Sequence, residues 1–262
     1  MSAFHLLPSL GTSIFLFFAA LVAGAMNAVA GGGSFITFPA LLFTHMPAIP
    51  ANATNTAAVW PGSVASAVAY RKVLTREAWR MLWPLVIMCF AGALLGAHVL
   101  LHTPPETFVK LIPWLLLAAT TLFAVSKKLT AWIQSGEHRV RSRLWIAGGF
   151  VMQLVIAMYV GYFGAGAGIL VLALLALLGE KNIHTMNGMK TVLVSVANAV
   201  ALGTFIVAGV VVWPQALTMI FGSLIGGYSA AHFAQRMKQV YLRRAVIVIG
   251  VGMSIYFFAR YR

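Results

Sequence analysis

The sequence predicts an all-α, polytopic membrane protein built from two inverted repeats, each with four long helices and one short half-helix. Three observations carry this expectation. The 262 residues are 61% hydrophobic and only 8% charged, where a soluble domain carries roughly 25% charged residues. Apolar runs long enough to cross a bilayer, about 20 residues each, recur along the chain. Finally, a glycine cluster followed by a short apolar run and a polar-headed helix occurs twice.

The first apolar run, about 8–30, follows an N-terminus without the basic region of a cleaved signal peptide, so it is expected to be the first span. Gly31-Gly32-Gly33-Ser34 then breaks the chain before a short run over about 34–45. Long runs follow at about 50–70, 78–101, 107–126 and 144–163. The second break is Gly164-Ala165-Gly166-Ala167-Gly168, and its short run covers about 169–179. Three more long runs lie at about 185–208, 213–235 and 240–259. A short run of about 12 residues makes about 17 Å of helix, less than a full crossing. Such pieces are tolerated inside a membrane only when protein or a polar cavity surrounds them.

Loop charge sets the expected topology. Arg71, Lys72, Arg76 and Arg80 form one basic cluster. Lys127, Lys128, Arg139, Arg141 and Arg143 form a second, and Arg236, Lys238, Arg243 and Arg244 a third. The net charge of +14 would suggest nucleic acid in a soluble protein. Here it follows the positive-inside rule, which places all three clusters in the cytoplasm. Three long runs and one short run separate the second cluster from the third, so the short run must count as a crossing. Each half then crosses five times and the halves are inverted. Repeat 1 covers about 8–127, a cytoplasmic linker about 128–143 and repeat 2 about 144–260, with both termini external. Gly92-Ala93-Leu94-Leu95-Gly96 matches Gly222-Ser223-Leu224-Ile225-Gly226, and small residues four apart permit close helix approach.

Chemistry concentrates at the breaks. A helix that restarts after glycine presents free backbone N–H groups and a favourable dipole to an anion; glycine also serves simple close packing. Asn52, Asn55, Thr56, Ser63 and Ser66 share one helical face. So do Asn187, Lys190, Thr191, Ser195 and Asn198. Polar stripes of this kind line a substrate path or bond neighbouring helices. Lys190 takes the place of Asn55 when Thr56 is aligned with Thr191. The only acidic residues are Glu77, Glu106, Glu137 and Glu180, none within a span, so an anionic substrate is one counter-ion for Lys190. Snorkelling to the surface is the other account. Of the histidines, His45, His98, His102, His184 and His232 lie mostly at span ends, where interfacial roles suffice. The lone Cys89 has no internal disulfide partner and reads as a small core residue.

The stretches Ala30-Gly-Gly-Gly-Ser-Phe-Ile-Thr-Phe-Pro39 and Ala51-Asn-Ala-Thr-Asn-Thr-Ala-Ala-Val-Trp-Pro-Gly62 resemble the sulfite exporter TauE/SafE family of membrane permeases. Met186-Asn-Gly-Met-Lys-Thr191 and Val212-Trp-Pro214 resemble matching segments of its second half. The alternating glycines of 164–168 depart from the more continuous run common in that family. The resemblance implies transport of sulfur-containing anions such as sulfite, thiosulfate or sulfoacetate.

The expectation is therefore an inner-membrane permease working by alternating access around a midplane site. Gly31, Gly32, Gly33 and Ser34, with Gly164, Gly166 and Gly168, supply backbone donors to that site. Asn52, Asn55, Thr56, Asn187, Lys190 and Thr191 supply side chains. The partners are a small anion and the lipid bilayer, with no nucleic acid, cofactor or metal; oligomeric state is not legible. Two rivals belong to other classes. An intramembrane hydrolase would use Ser34, but its nearest histidine, His45, follows by about 16 Å of helix, and a nucleophile needs its base within about 3 Å. A non-transporting anchor subunit would need a partner-binding loop, and topology already accounts for the basic loops.

Overall fold

The computed structural model describes residues 8–29, 32–135, 143–180, 182–233 and 239–260, and among these it is helical without a strand. Ten α-helices follow one another: α1 (Leu10–Val29), α2 (Ser34–Phe43), α3 (Ala48–Tyr70), α4 (Arg76–His102), α5 (Pro105–Ser135), α6 (Arg143–Tyr162), α7 (Ala167–Leu177), α8 (Ile183–Val207), α9 (Trp213–Phe233) and α10 (Gln239–Arg260). They occupy the eight long and two short apolar runs. One 3-10 turn, Arg71–Val73, joins α3 to α4.

The short helices have 10 and 11 residues, roughly 15–17 Å. On length and apolarity alone α4, residues 105–125 of α5, and α8 each suffice to cross a membrane. The largest departure from expectation is α5. It runs 31 residues, to Ser135, so Lys127 and Lys128 lie on a helix. At about 46 Å it exceeds a hydrocarbon core of about 30 Å. Arg139, Arg141, Arg236 and Lys238 fall outside the described residues, as does Gly31.

The chain forms two compact units, residues 1–62, 101–121 and 205–262, and residues 63–100 and 122–204. Each unit draws helices from both halves of the sequence. In the first, α1 lies along α9, and α2 packs against α1 and α10. In the second, α7 packs against α6, and Leu82, Leu85, Val171, Leu174, Met189 and Leu193 belong to one buried core.

Glycines let the long helices meet backbone to backbone. A methyl at Gly222 would strike the Phe17 carbonyl, one at Gly226 the Leu21 carbonyl, and one at Gly24 the Ser223 carbonyl. In the other unit a methyl at Gly92 would strike the Leu154 carbonyl, one at Gly96 the Met158 carbonyl, and one at Gly161 the Ala93 carbonyl. The two sets have identical spacing. Residues 17, 21 and 24 of α1 stand to 222, 226 and 223 of α9 as 154, 158 and 161 of α6 stand to 92, 96 and 93 of α4. The same register aligns Trp83-Pro84 with Trp213-Pro214. It also aligns Thr120 of α5 with Gly250 of α10, and these two residues touch each other.

Gly96→Ala and Gly226→Ala are each expected to destabilise the protein by about 1–3 kcal/mol through overpacking. Gly203, with open space around it, should instead gain about 0.5–1 kcal/mol on change to Ala. Thermal midpoints in detergent measure both. Equal shifts at all three positions would mean that these glycines do not serve close contact.

Candidate functional site

The first glycine break lies at the head of α2. Gly32 has φ of 94°, a backbone state open to glycine. The first turn of α2 is closed by Phe35 N–H to the Gly32 carbonyl and by Ile36 and Thr37 N–H to the Gly33 carbonyl. No side chain caps this helix; its N–H groups from Phe35 to Thr37 donate within the turn itself. Facing that turn within the same unit is the head of α3, where Asn52, Thr54, Asn55 and Thr56 are all buried. The buried Thr37 hydroxyl shares its proton between the Gly33 carbonyl, at 3.1 Å, and Asn55 Oδ1. Asn55 is thereby tied to the start of α2 through its carbonyl oxygen. Its amide N–H2 is a pair of donors, the kind of group that can bond an oxyanion. Thr56 donates to the Asn52 carbonyl at 2.9 Å, within its own helix.

The second break is built differently. Gly164 and Gly166 both have positive φ, 77° and 73°, so the chain turns twice before α7 begins. The Tyr159 hydroxyl donates to the Ala165 carbonyl between them at 2.6 Å. The α7 N-terminus also lacks a side-chain cap. Lys190 of α8 runs across this turn: a methyl added at Gly168 would sit 3.4 Å from Lys190 Cδ. The ammonium donates to Asn187 Oδ1 at 2.9 Å. The Asn187 amide in turn donates to the Ile183 carbonyl at 2.9 Å, and Thr191 donates to the Gly188 carbonyl at 2.8 Å. The partner of Lys190 among the described residues is thus a neutral amide and not a carboxylate. The equivalent positions 55 and 190 each reach the first turn of the short helix of their own half.

Of the residues singled out from sequence, Asn55 reaches the head of α2 through Thr37 and Lys190 lies beside Gly168 at the head of α7, while Thr56, Asn187 and Thr191 bond carbonyls of their own helices. Ser34 is the first residue of α2 and His45 lies beyond its C-terminal end, which keeps a serine–histidine pairing out of reach. His45 has φ of 61° and lines a cavity of about 240 Å³ with Phe43 and Tyr256, at the far end of α2 from the glycines. No group of three or more metal-ligating side chains occurs among the described residues.

Three residues at the site escaped the sequence reasoning: Thr37, Thr54 and Tyr159. Thr37 was signalled only as a lone hydroxyl in an apolar run. Thr54 lies on the opposite face of α3 from the stripe, and its hydroxyl accepts the Val212 N–H at the start of α9, at 3.0 Å.

The family model for sulfite exporter TauE/SafE matches residues 16–257. The chain belongs to this family. Membership and the apolar helices together make it a multi-pass membrane transporter. A relative from Haemophilus influenzae, named a probable membrane transporter protein, is 29% identical, with 91% of each chain covered. Another from Sinorhizobium sp, the probable membrane transporter protein ORF9, is 28% identical over 97% of this chain and 92% of its own. The Escherichia coli K12 probable membrane transporter protein YfcA is 27% identical over 91% and 87%. No solved structure gives a significant match.

Thr54→Val should destabilise the protein by about 1–3 kcal/mol, because it leaves the buried Val212 N–H without an acceptor. Thr54→Ser should not. A thermal midpoint unchanged by the valine would mean that the N–H finds another acceptor.

Proposed function

We propose that this TauE/SafE protein is an inner-membrane permease that exports small sulfur-containing oxyanions, such as sulfite, thiosulfate or a sulfonate such as sulfoacetate. One observation carries the proposal: Lys190 lies across the uncapped first turn of α7. An ammonium and a helix N-terminus at one place attract the same kind of ligand, an anion. The neutral Asn187 orients the ammonium without cancelling its charge. At the equivalent place in the first half, Asn55 offers an amide beside the uncapped head of α2.

In this reading Gly32, Gly33, Ser34, Gly164, Gly166 and Gly168 contribute backbone donors, and Asn52, Asn55, Thr56, Asn187, Lys190 and Thr191 contribute or orient side chains. Transport is by alternating access. The repeats are inverted, with both termini external. The reciprocal contacts support this: α1 meets α9 as α6 meets α4, and Thr120 meets its own counterpart Gly250. Equivalent contacts found within each unit are what two related halves would make. An odd number of crossings per repeat gives the two repeats opposite orientations.

Lys190→Ala should reduce anion transport at least about tenfold, as for loss of a charge-assisted contact, while the protein still inserts and purifies as a monodisperse species. The assay is flux of sulfite, thiosulfate, sulfoacetate and, as non-sulfur controls, acetate and phosphate in proteoliposomes. Undiminished flux in the variant would remove Lys190 from the site. Preference for a non-sulfur anion would replace the substrate class and leave the permease reading in place.

A further inference from the structure

Two side-chain hydrogen bonds reach equivalent carbonyls, from donors that stand one turn apart when α4 is aligned with α9. In the first unit the Ser223 hydroxyl of α9 donates to the Ala58 carbonyl of α3 at 3.1 Å. In the second the Cys89 thiol of α4 donates to the Leu193 carbonyl of α8, also at 3.1 Å. Ala58 stands three residues after Asn55, and Leu193 three residues after Lys190. The register that aligns Thr56 with Thr191 therefore aligns the two accepting carbonyls. Each donor comes from the fourth helix of the opposite half. A helix carbonyl has a second lone pair beyond the one its own ladder uses, so the added bond does not break the helix.

The two donors differ in how they are aimed. Ser223 divides its proton between Ala58 and the Ile220 carbonyl of its own helix, at 3.0 Å. Cys89 is buried and receives the Gln153 amide at 3.2 Å, which leaves the thiol proton directed to Leu193. Gln153 is itself wholly buried, and its Oε1 accepts no hydrogen bond among the described residues. An amide held in an apolar core with an unmet acceptor is costly. Among the described residues its amide donates to the thiol.

We propose that Ser223 and Cys89 are positioning residues that pin α3 and α8 one turn beyond Asn55 and Lys190, holding those side chains at the heads of α2 and α7. The functional half of this proposal rests on the anion-binding reading of Asn55 and Lys190. The pin itself does not.

Cys89 is the single cysteine of the chain, which makes the test clean. Cys89→Ser keeps a donor, Cys89→Ala removes it, and Cys89→Val removes it while filling the space. Each is combined with Lys190→Cys or Asn55→Cys as a reporter. The full chain in proteoliposomes is then labelled with a small methanethiosulfonate reagent. The same Cys89 variants, without reporters, are assayed for sulfite flux. Relative to Cys89→Ser, the Ala and Val variants should change labelling at the Lys190→Cys reporter by about threefold or more. They should raise KM for sulfite about threefold to tenfold with little change in maximal rate, the scale of one lost hydrogen bond. Labelling at Asn55→Cys should stay constant. Ser223→Ala should shift the Asn55→Cys reporter and spare the other. Gln153→Leu, which leaves Cys89 in place, should raise KM in the same direction by a smaller factor.

Equal labelling across the Ser, Ala and Val variants overturns the pin. Shifted labelling with an unchanged KM overturns the functional half; reduced flux in Lys190→Ala then leaves the anion-binding reading standing, and undiminished flux in that variant overturns the reading as well.

Discussion

The close backbone approach of α1 to α9, and of α6 to α4, is the constraint on which the rest depends. Inside a bilayer the lipid tails are as apolar as leucine, so burying leucine does little to bring helices together. Contact must come from shape, and here it comes from glycine. Gly222 and Gly226 admit the carbonyls of Phe17 and Leu21, and Gly92 and Gly96 those of Leu154 and Met158. Carbonyls resting on glycine Cα–H groups add weak hydrogen bonds to the dispersion contacts. A helix held at three such points has little freedom to slide or rotate. The short helices then have a settled surface to lean on: α2 packs on α1, and α7 on α6.

That support is what permits a helix to begin within an apolar unit. An isolated half-helix would expose its leading N–H groups to hydrocarbon. At both breaks polar groups are brought to the opening. The Thr37 hydroxyl links the Gly33 carbonyl to Asn55, and the Tyr159 hydroxyl satisfies the Ala165 carbonyl. The two solutions are not copies. Thr54 bonds the start of α9, whereas its counterpart Met189 and the residue aligned with Val212, Leu82, belong to an apolar core. The glycine contacts of the two units match in spacing while the chemistry at their breaks differs.

Much of this was legible in the sequence because membrane helices are written in long apolar runs, and a Gly-x-x-x-Gly spacing is visible without coordinates. The ten runs and the ten helices correspond. The partner of each glycine face was not legible. Small residues four apart announce that something approaches closely, but Gly92 and Gly96 carry no mark that points to α6 rather than to a neighbour in their own half. The extension of α5 to Ser135 was missed because the polar residues after 126 break the apolar run without breaking the helix. Asn52, Asn55 and Lys190 stood out as polar groups in apolar surroundings. Thr37 and Ser223 did not, since a hydroxyl in a membrane helix ordinarily bonds its own preceding turn. Only their second contacts set them apart.

The asymmetry at positions 55 and 190 bears on the energetics of the proposed transport. A carboxylate in place of Asn187 would neutralise Lys190 and leave a closed ion pair with little affinity for an anion. The amide holds the ammonium in place and leaves its charge for the ligand. One fixed positive charge binding a dianion leaves a complex of net −1, less costly to hold in a low-dielectric unit than the free dianion. The lysine returns with the protein at the end of each cycle, so the charge moved is that of the anion alone. An inside-negative potential of 100 mV then favours outward movement by about 2.3 kcal/mol per charge, or roughly 4.6 kcal/mol for a dianion. In the proposed transport, a single lysine would lower the cost of anion entry without altering the driving force.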